Sequence, residues 1–106
     1  MEMERDTVVS RLVEEFGYPL HGASLVADKL LALSPPVREA FISWWDGGPL
    51  PSLEISGETV RTLMDQHGQQ PIAAFLTLDW LQRDPVAARR VLRKGHDSVR
   101  FPGRHV

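Results

Sequence analysis

The 106-residue sequence contains no cysteine, and its longest apolar stretch is short. Without cysteine the chain has no disulfide, no thiolate nucleophile and no cysteine-based zinc site. The apolar stretch, residues 71–81, is well below the about 20 residues that a helix needs to cross a membrane. The first six residues lack the basic and then apolar profile of a secretory signal. We therefore expect a soluble, cytoplasmic protein that does not enter a membrane.

Recognisable catalytic and metal-binding patterns are also missing. The sequence has no nucleophile elbow, no P-loop and no dinucleotide-binding glycine pattern. Its histidines do not have the spacing of metal ligands; they are His21, His67, His96 and His105. We therefore expect no catalytic residue, no metal and no cofactor, and we predict a protein that is not an enzyme.

The apolar stretch 71–81 indicates an all-helical fold. Only Thr77 and Asp79 are clearly polar in it, and a helix that is apolar on all sides must be surrounded by other elements. Apolar periodicity, together with glycine stops and proline starts, predicts helices before and after it. These begin near residues 6, 19, 35, 56 and 85, and the expected N-caps are Asp6 or Thr7, Ser34, Ser56 and Asp84. A Pro-rich linker, 47–55, and a basic tail, 96–106, complete the chain.

The two halves of the chain resemble each other when the second is shifted by 51 residues. The matched pairs are Leu12 and Leu63, Gly17 and Gly68, Ala23 and Ala74, Asp28 and Asp79, and Leu30 and Leu81. One residue less in the next turn aligns Ser34-Pro35 with Asp84-Pro85 and Phe41-Ile42 with Val91-Leu92. We predict an internal duplication with sub-repeats 7–46 and 56–95. The predicted fold is a compact, single-domain (1–106), all-α six-helix bundle. Its two three-helix units are related by a pseudo-twofold axis, with their middle helices packed together.

Four features of the first half are typical of one small helical module. Leu12 is followed by the loop Phe16-Gly17-Tyr18 and then by Ala23, with a third helix at a suitable distance. In this order they resemble the ubiquitin-associated (UBA-like) three-helix module, as does each half of the chain taken alone, with a better match over residues 8–45 than over 59–94. The resemblance implies an exposed apolar patch for a partner protein, formed by Phe16, Gly17, Tyr18, Trp44 and Trp45. The second half has His67-Gly68-Gln69 in the loop and lacks the apolar anchors. The chain also resembles small bacterial proteins, which implies no function.

Two further features each allow a functional and a structural interpretation. Adjacent helical side chains point about 100° apart, so Trp44 and Trp45 are either a binding surface or one core residue and one cover for the linker.

Asp28 and Asp79 could form a carboxylate pair for acid–base or metal chemistry. We favour hydrogen bonds to each from a helix start or an arginine, since Arg83 follows Asp79 by one turn.

Charge is distributed unevenly along the chain. Residues 1–82 hold 5 basic and 12 acidic side chains, whereas residues 83–106 hold 7 basic and 2 acidic ones. Residues 60–78 have the outline of a helix-turn-helix, but 72–81 contain no Arg, Lys, Asn or Gln to contact bases.

We predict a protein-interaction domain, an adaptor or small regulatory protein that binds a partner protein or forms a homodimer. The alternative is a nucleic-acid-associated protein that binds phosphates through Arg89, Arg90, Arg93, Lys94 and Arg100.

Overall fold

The computed structural model of the protein describes residues 3–93, and the regular secondary structure in this part of the chain is helical. Five helices are α1 (Arg5–Glu14), α2 (Leu20–Leu31), α3 (Pro35–Trp45), α4 (Val60–His67) and α5 (Pro71–Arg83). A sixth, α6, occupies 85–93 as far as the described chain extends. These residues form no strand, and their isolated β-bridge joins Ile55 to Glu58 within one turn. The prediction of six helices and an all-α fold is confirmed. The expected basic tail, 96–106, lies outside the described residues.

Two compact units divide the chain, Met1–Gly48 and Pro49–Val106. The first unit contains α1, α2 and α3, and α1 packs against α2. Its core consists of apolar side chains from all three helices and the turn between α2 and α3. They are Val8, Leu12, Ala23, Ala27, Leu30, Leu33, Val37, Phe41 and Trp45.

The second unit is built around α5, which packs against α4. Its core side chains come from α4, α5 and α6. They are Val60, Leu63, Ile72, Ala74, Phe75, Leu78, Leu81, Ala88 and Leu92. The expectation that no side of this apolar helix meets solvent is wrong at Trp80, which is 38% exposed. A helix in a unit of three has two neighbours to cover it, so one side faces outward.

The turn before α4 differs from the sequence prediction. Ser56 does not cap this helix; it lies in a tight turn in which Ile55 and Glu58 exchange backbone hydrogen bonds of 2.9 and 3.0 Å. Ser56 and Gly57 both have positive φ, 53° and 85°. This combination is that of a two-residue hairpin turn, and glycine is well suited to it. The Ser-Gly pair therefore makes a turn, and the helix begins three residues later than expected.

Thr59 is the residue that caps α4. Its side chain accepts a hydrogen bond from the Thr62 backbone N–H at 3.2 Å, and the Thr62 hydroxyl oxygen accepts one from the Thr59 N–H at 2.9 Å. This reciprocal capping box satisfies two backbone donors that a helix start leaves unpaired. The box fixes where the chain leaves the turn and enters the helix.

The other three predicted caps have different outcomes. The N-cap of α1 is Glu4, so Asp6 and Thr7 lie inside the first turn and the predicted caps are wrong. Ser34 occupies the N-cap position of α3, although its side chain makes no capping hydrogen bond. Asp84 accepts a hydrogen bond from the Ala87 N–H at 3.2 Å, which confirms the predicted cap of α6.

A left-handed glycine ends the first helix of each unit. Gly17 has φ 73°, and the chain turns back so that the Tyr18 N–H donates to the Leu12 carbonyl at 3.0 Å. Such a conformation favours glycine because a Cβ is strained there. The same arrangement recurs 51 residues later. Gly68 has φ 66°, and the Gln69 N–H donates to the Leu63 carbonyl at 3.3 Å. The following helices also begin 51 residues apart, at Leu20 and Pro71.

The third helices match in a different register from the one that the sequence suggests. Pro35 and Pro85, at the helix starts, are 50 residues apart. The buried counterpart of Phe41 is nevertheless Leu92, 51 residues on, while Val91 is 48% exposed. Burial therefore fits a shift of 51, whereas the sequence alignment of Phe41 with Val91 uses a shift of 50.

Candidate functional site: an aromatic patch

Four aromatic rings meet at one end of the first unit. Phe16 stacks on Trp45, with ring centroids 5.7 Å apart and planes 11° apart, and lies 6.2 Å from Trp44. Phe41 lies 5.2 Å from Trp45 and 6.1 Å from Trp44, and the two indoles are 6.5 Å apart. These separations lie within the range in which aromatic pairs attract each other. The fold thus brings together Phe16, Trp44 and Trp45, three of the five residues that the resemblance implicated.

The four rings differ in their access to solvent. Phe41 is fully buried and Trp45 is 7% exposed, so both belong to the core. Trp44 is half-buried, and Phe16 is 37% exposed. Because adjacent helical positions point about 100° apart, one indole faces the core and the other faces the rim. Solvent therefore reaches Phe16 and Trp44, which we call the aromatic patch, whereas Trp45 supports them from beneath.

Arg11 holds the end of α3 against α1. Its guanidinium carbon lies 4.0 Å from the centre of the Trp45 ring, within the range of a cation–π contact. One Nη1–H donates to the Trp45 backbone carbonyl at 2.8 Å, which satisfies a carbonyl that the helix end leaves unpaired. Its Nε donates to Glu15 at 3.1 Å. In the sequence, the one signal that marks Arg11 is its spacing of one turn from Glu15.

The loop between α1 and α2 presents further apolar surface beside the patch. Gly17 is exposed, and Tyr18 is half-buried with its backbone N–H used in the turn. Leu20, the first residue of α2, is exposed. Because α1 ends at Glu14, Phe16 leaves the helix and turns towards the end of α3.

A small cleft lies beside the cluster, between the start of α1 and the end of α3. Its volume is about 240 Å³, and its wall includes Arg11, Ile42, Trp45 and Asp46. This volume is below the about 300 to 1,000 Å³ of typical small-molecule sites.

The two repeated aspartates pair with arginines. Arg5 Nε donates to Asp28 Oδ1 at 2.7 Å, and Arg83 Nε donates to Asp79 Oδ2 at 2.8 Å. The prediction that each carboxylate accepts hydrogen bonds from an arginine is confirmed. The hydrogen bond from Arg5 is the main cause that lowers the pKa of Asp28. Residues 3–93 contain no group of three or more His, Asp or Glu side chains that could hold a metal ion.

The arginines of α6 are exposed, and two of them border a second cleft. Arg89 and Arg93 line it together with Glu58, His67 and Leu92, and its volume is about 220 Å³. We call it the Glu58 cleft. Arg90 is exposed but does not belong to its lining. Lys94 and Arg100, the other members of the predicted nucleic-acid surface, lie outside the described residues.

Sequence reasoning missed the Glu58 cleft because its residues come from three separate segments. The hairpin turn contributes Glu58, the end of α4 contributes His67, and α6 contributes the arginines. No spacing in the sequence connects them.

None of the helices within residues 3–93 has the length and apolar character that a membrane span requires.

No protein-family model matches the chain, and comparisons with curated proteins and with solved structures find no significant match. The resemblance of the first half to the UBA-like module therefore stays a prediction.

Proposed function

We propose that the protein is a non-enzymatic interaction domain, an adaptor or small regulatory protein, that binds another protein through the aromatic patch. One observation carries this proposal: Phe16 and Trp44 are accessible to solvent and rest on the buried rings of Phe41 and Trp45. Tryptophan is enriched among the residues that dominate binding energy because it buries a large, rigid area. The buried rings beneath the patch fix it in place, which reduces the entropy lost on binding.

The charges around the patch indicate the kind of partner. Glu15 precedes Phe16 and Asp46 follows Trp45, and both carboxylates are exposed. Residues 1–48 as a whole carry 8 acidic and 4 basic side chains. An apolar segment with basic residues at its edges complements this surface, because opposite charges at the rim guide association and select the partner. We further propose a cytoplasmic protein, for which the lack of cysteine is the support.

A matched pair of substitutions tests the role of the patch. Trp44→Ala removes a half-buried indole from the patch, whereas Trp80→Ala removes a more exposed indole from α5 in the other unit. We expect a protein captured from lysate by the wild-type chain to be retained by Trp80→Ala and lost with Trp44→Ala. Loss with both variants, or with neither, contradicts the proposal.

The captured protein is then tested in purified form. In a Trp80→Phe background the remaining tryptophans are Trp44 and Trp45, so fluorescence reports the aromatic patch together with the buried ring beneath it. Binding is expected to shift the emission to shorter wavelength, because the partner excludes water from Trp44. Light scattering after size exclusion detects the homodimer instead, in which case Trp44→Ala yields a monomer.

We also infer that the two units arose by internal duplication. Its support is local: the left-handed Gly17 and Gly68, the same closing hydrogen bond after each, and α2 and α5 starting 51 residues apart. The pseudo-twofold packing of the two middle helices stays a prediction.

The alternative function, binding of nucleic-acid phosphates, rests on the exposed arginines of α6. Arg89, Arg90 and Arg93 are all exposed. Two results on a heparin column would support this function. The protein should stay bound above physiological salt, and replacement of any one of the three arginines should reduce its retention to a similar extent.

A further inference from the structure

The Glu58 cleft assembles three cationic or ionisable donors around one fixed carboxylate. Oε2 of Glu58 lies 3.8 Å from His67 Nε2 and 3.9 Å from Arg89 Nη1. Arg93, one helical turn after Arg89, lines the same cleft. Arg89 and Arg93 bring two positive charges to the lining and Glu58 one negative charge, so its balance favours an anion.

Glu58 is held in place from the protein side. Its side chain is 12% exposed, and its Oε1 accepts a hydrogen bond from the Thr62 hydroxyl at 2.6 Å. Thr62 also belongs to the capping box that starts α4. The carboxylate therefore cannot swing out to follow the cations, and its position is set by the turn and the helix start.

Arg89 is placed by the hairpin turn. A Cβ on Gly57 would lie 3.3 Å from Arg89 Nη2, so the guanidinium packs over a residue without a side chain. Its contact with Glu58 at 3.9 Å is too long for a hydrogen bond. A guanidinium has five N–H donors in a planar fork that matches the oxygens of phosphate. The contact with Glu58 therefore does not use the donors that a phosphate would need.

We infer that the Glu58 cleft binds a phosphate group, either inorganic phosphate or the terminal phosphate of a monoester. Its volume of about 220 Å³ accommodates a phosphate group but not a ligand of the size that fills typical small-molecule sites. Arg89 and Arg93 bind the phosphate oxygens from one helix face, and His67 donates from the end of α4. Glu58 lies 3.8 Å from His67 and 3.9 Å from Arg89, and its negative charge opposes the anion and limits how tightly the cleft binds it. This site lies in the second unit and is independent of the aromatic patch.

The test titrates the full chain with inorganic phosphate and, separately, with O-phosphoserine, while backbone amide signals are followed by NMR at constant ionic strength. Signals of residues 57–59, 67 and 89–93 are expected to shift with one common affinity. Tighter binding of O-phosphoserine identifies a monoester as the preferred source, and equal binding identifies free phosphate. An absence of saturable shifts with both probes overturns the inference.

Three substitutions on one helix give the decisive comparison. Arg89→Gln and Arg93→Gln each remove a cation that lines the cleft, whereas Arg90→Gln removes the same charge from the same helix outside the lining. We expect the first two to weaken phosphate binding by about 10-fold or more, the scale of one charge-assisted hydrogen bond, and the third by less than about 2-fold. Equal weakening by all three indicates diffuse attraction to a polyanion such as nucleic acid and overturns the inference.

Glu58→Gln separates a phosphate site from a purely structural ion cluster. The amide oxygen still accepts from Thr62, while the negative charge that repels the anion is lost. We expect tighter phosphate binding, with an unchanged helical circular dichroism spectrum. Loss of binding in this variant, with the spectrum unchanged, contradicts the assigned role of Glu58.

Discussion

The adjacent tryptophans of α3 should differ sharply in their contribution to stability. Trp45→Ala removes a side chain that is 7% exposed and that contacts Phe16, Phe41 and Arg11. Truncation of a buried Trp to Ala costs about 3 to 5 kcal/mol, of which the lost cation–π contact is about 0.5 to 1 kcal/mol. Trp44→Ala removes a half-buried indole, and we expect a cost of about 1 kcal/mol. The difference of about 2 to 4 kcal/mol is large beside the about 5 to 15 kcal/mol of a typical domain.

Urea unfolding in the Trp80→Phe background measures this difference. Each alanine variant then keeps one tryptophan, which lies in the first unit, so fluorescence follows that unit while far-ultraviolet circular dichroism follows the whole chain. The midpoint of Trp45→Ala is expected to fall well below that of Trp44→Ala. Equal midpoints would refute the assignment of one indole to the core and one to the surface. They would also remove the support on which the aromatic patch rests.

Three further predictions concern caps, turns and charge. Thr59→Ala should lower the free energy of unfolding by about 1 kcal/mol, because it removes the cap of α4. Thr7→Ala, at an exposed position inside α1, should change it by less than about 0.5 kcal/mol. Urea titrations measure both changes. A Cβ added at Gly68 meets no atom within 4 Å, but the residue keeps its positive φ. We therefore expect Gly68→Ala to lower the free energy of unfolding by about 1 kcal/mol through backbone strain alone. The pKa of Asp28 is lower in the folded protein than in the unfolded chain. The ionised carboxylate therefore stabilises the fold above the unfolded pKa of about 4, and this contribution is lost as the pH falls through the lower folded pKa. Arg5→Gln should return the pKa of Asp28 towards its ordinary value in an NMR titration of side-chain carboxyl carbons.

The helices were predictable because their signals are local. Glycines in the left-handed conformation, prolines at helix starts and apolar periodicity act within one or two turns, and they identified all six helices. The start of α4 was misplaced because Ser56 can cap a helix or enter a turn. Gly57 beside it decides for the turn, since both residues take positive φ.

The surfaces were less predictable because they depend on which helix end meets which loop. The pairing of Trp44 and Trp45 was visible, but which of them is buried follows from the position of Arg11 and Phe16 across the unit. Phe16 itself fits the apolar periodicity of α1, and its release from the helix depends on where the glycine turn begins. Tertiary contacts of this kind leave no spacing in the sequence.

The two candidate sites are placed by equivalent segments of the two units. The loop position of Phe16, which joins the aromatic patch, corresponds at a shift of 51 to His67, which lines the Glu58 cleft. In each case the residue directly precedes a left-handed glycine that ends the first helix of its unit. The backbone therefore presents one side chain at the same kind of corner in both units. Under the proposed duplication, this corner carries an aromatic ring in the first unit and an imidazole beside the α6 arginines in the second, so the same backbone position serves a surface for apolar partners in one unit and a surface for anions in the other.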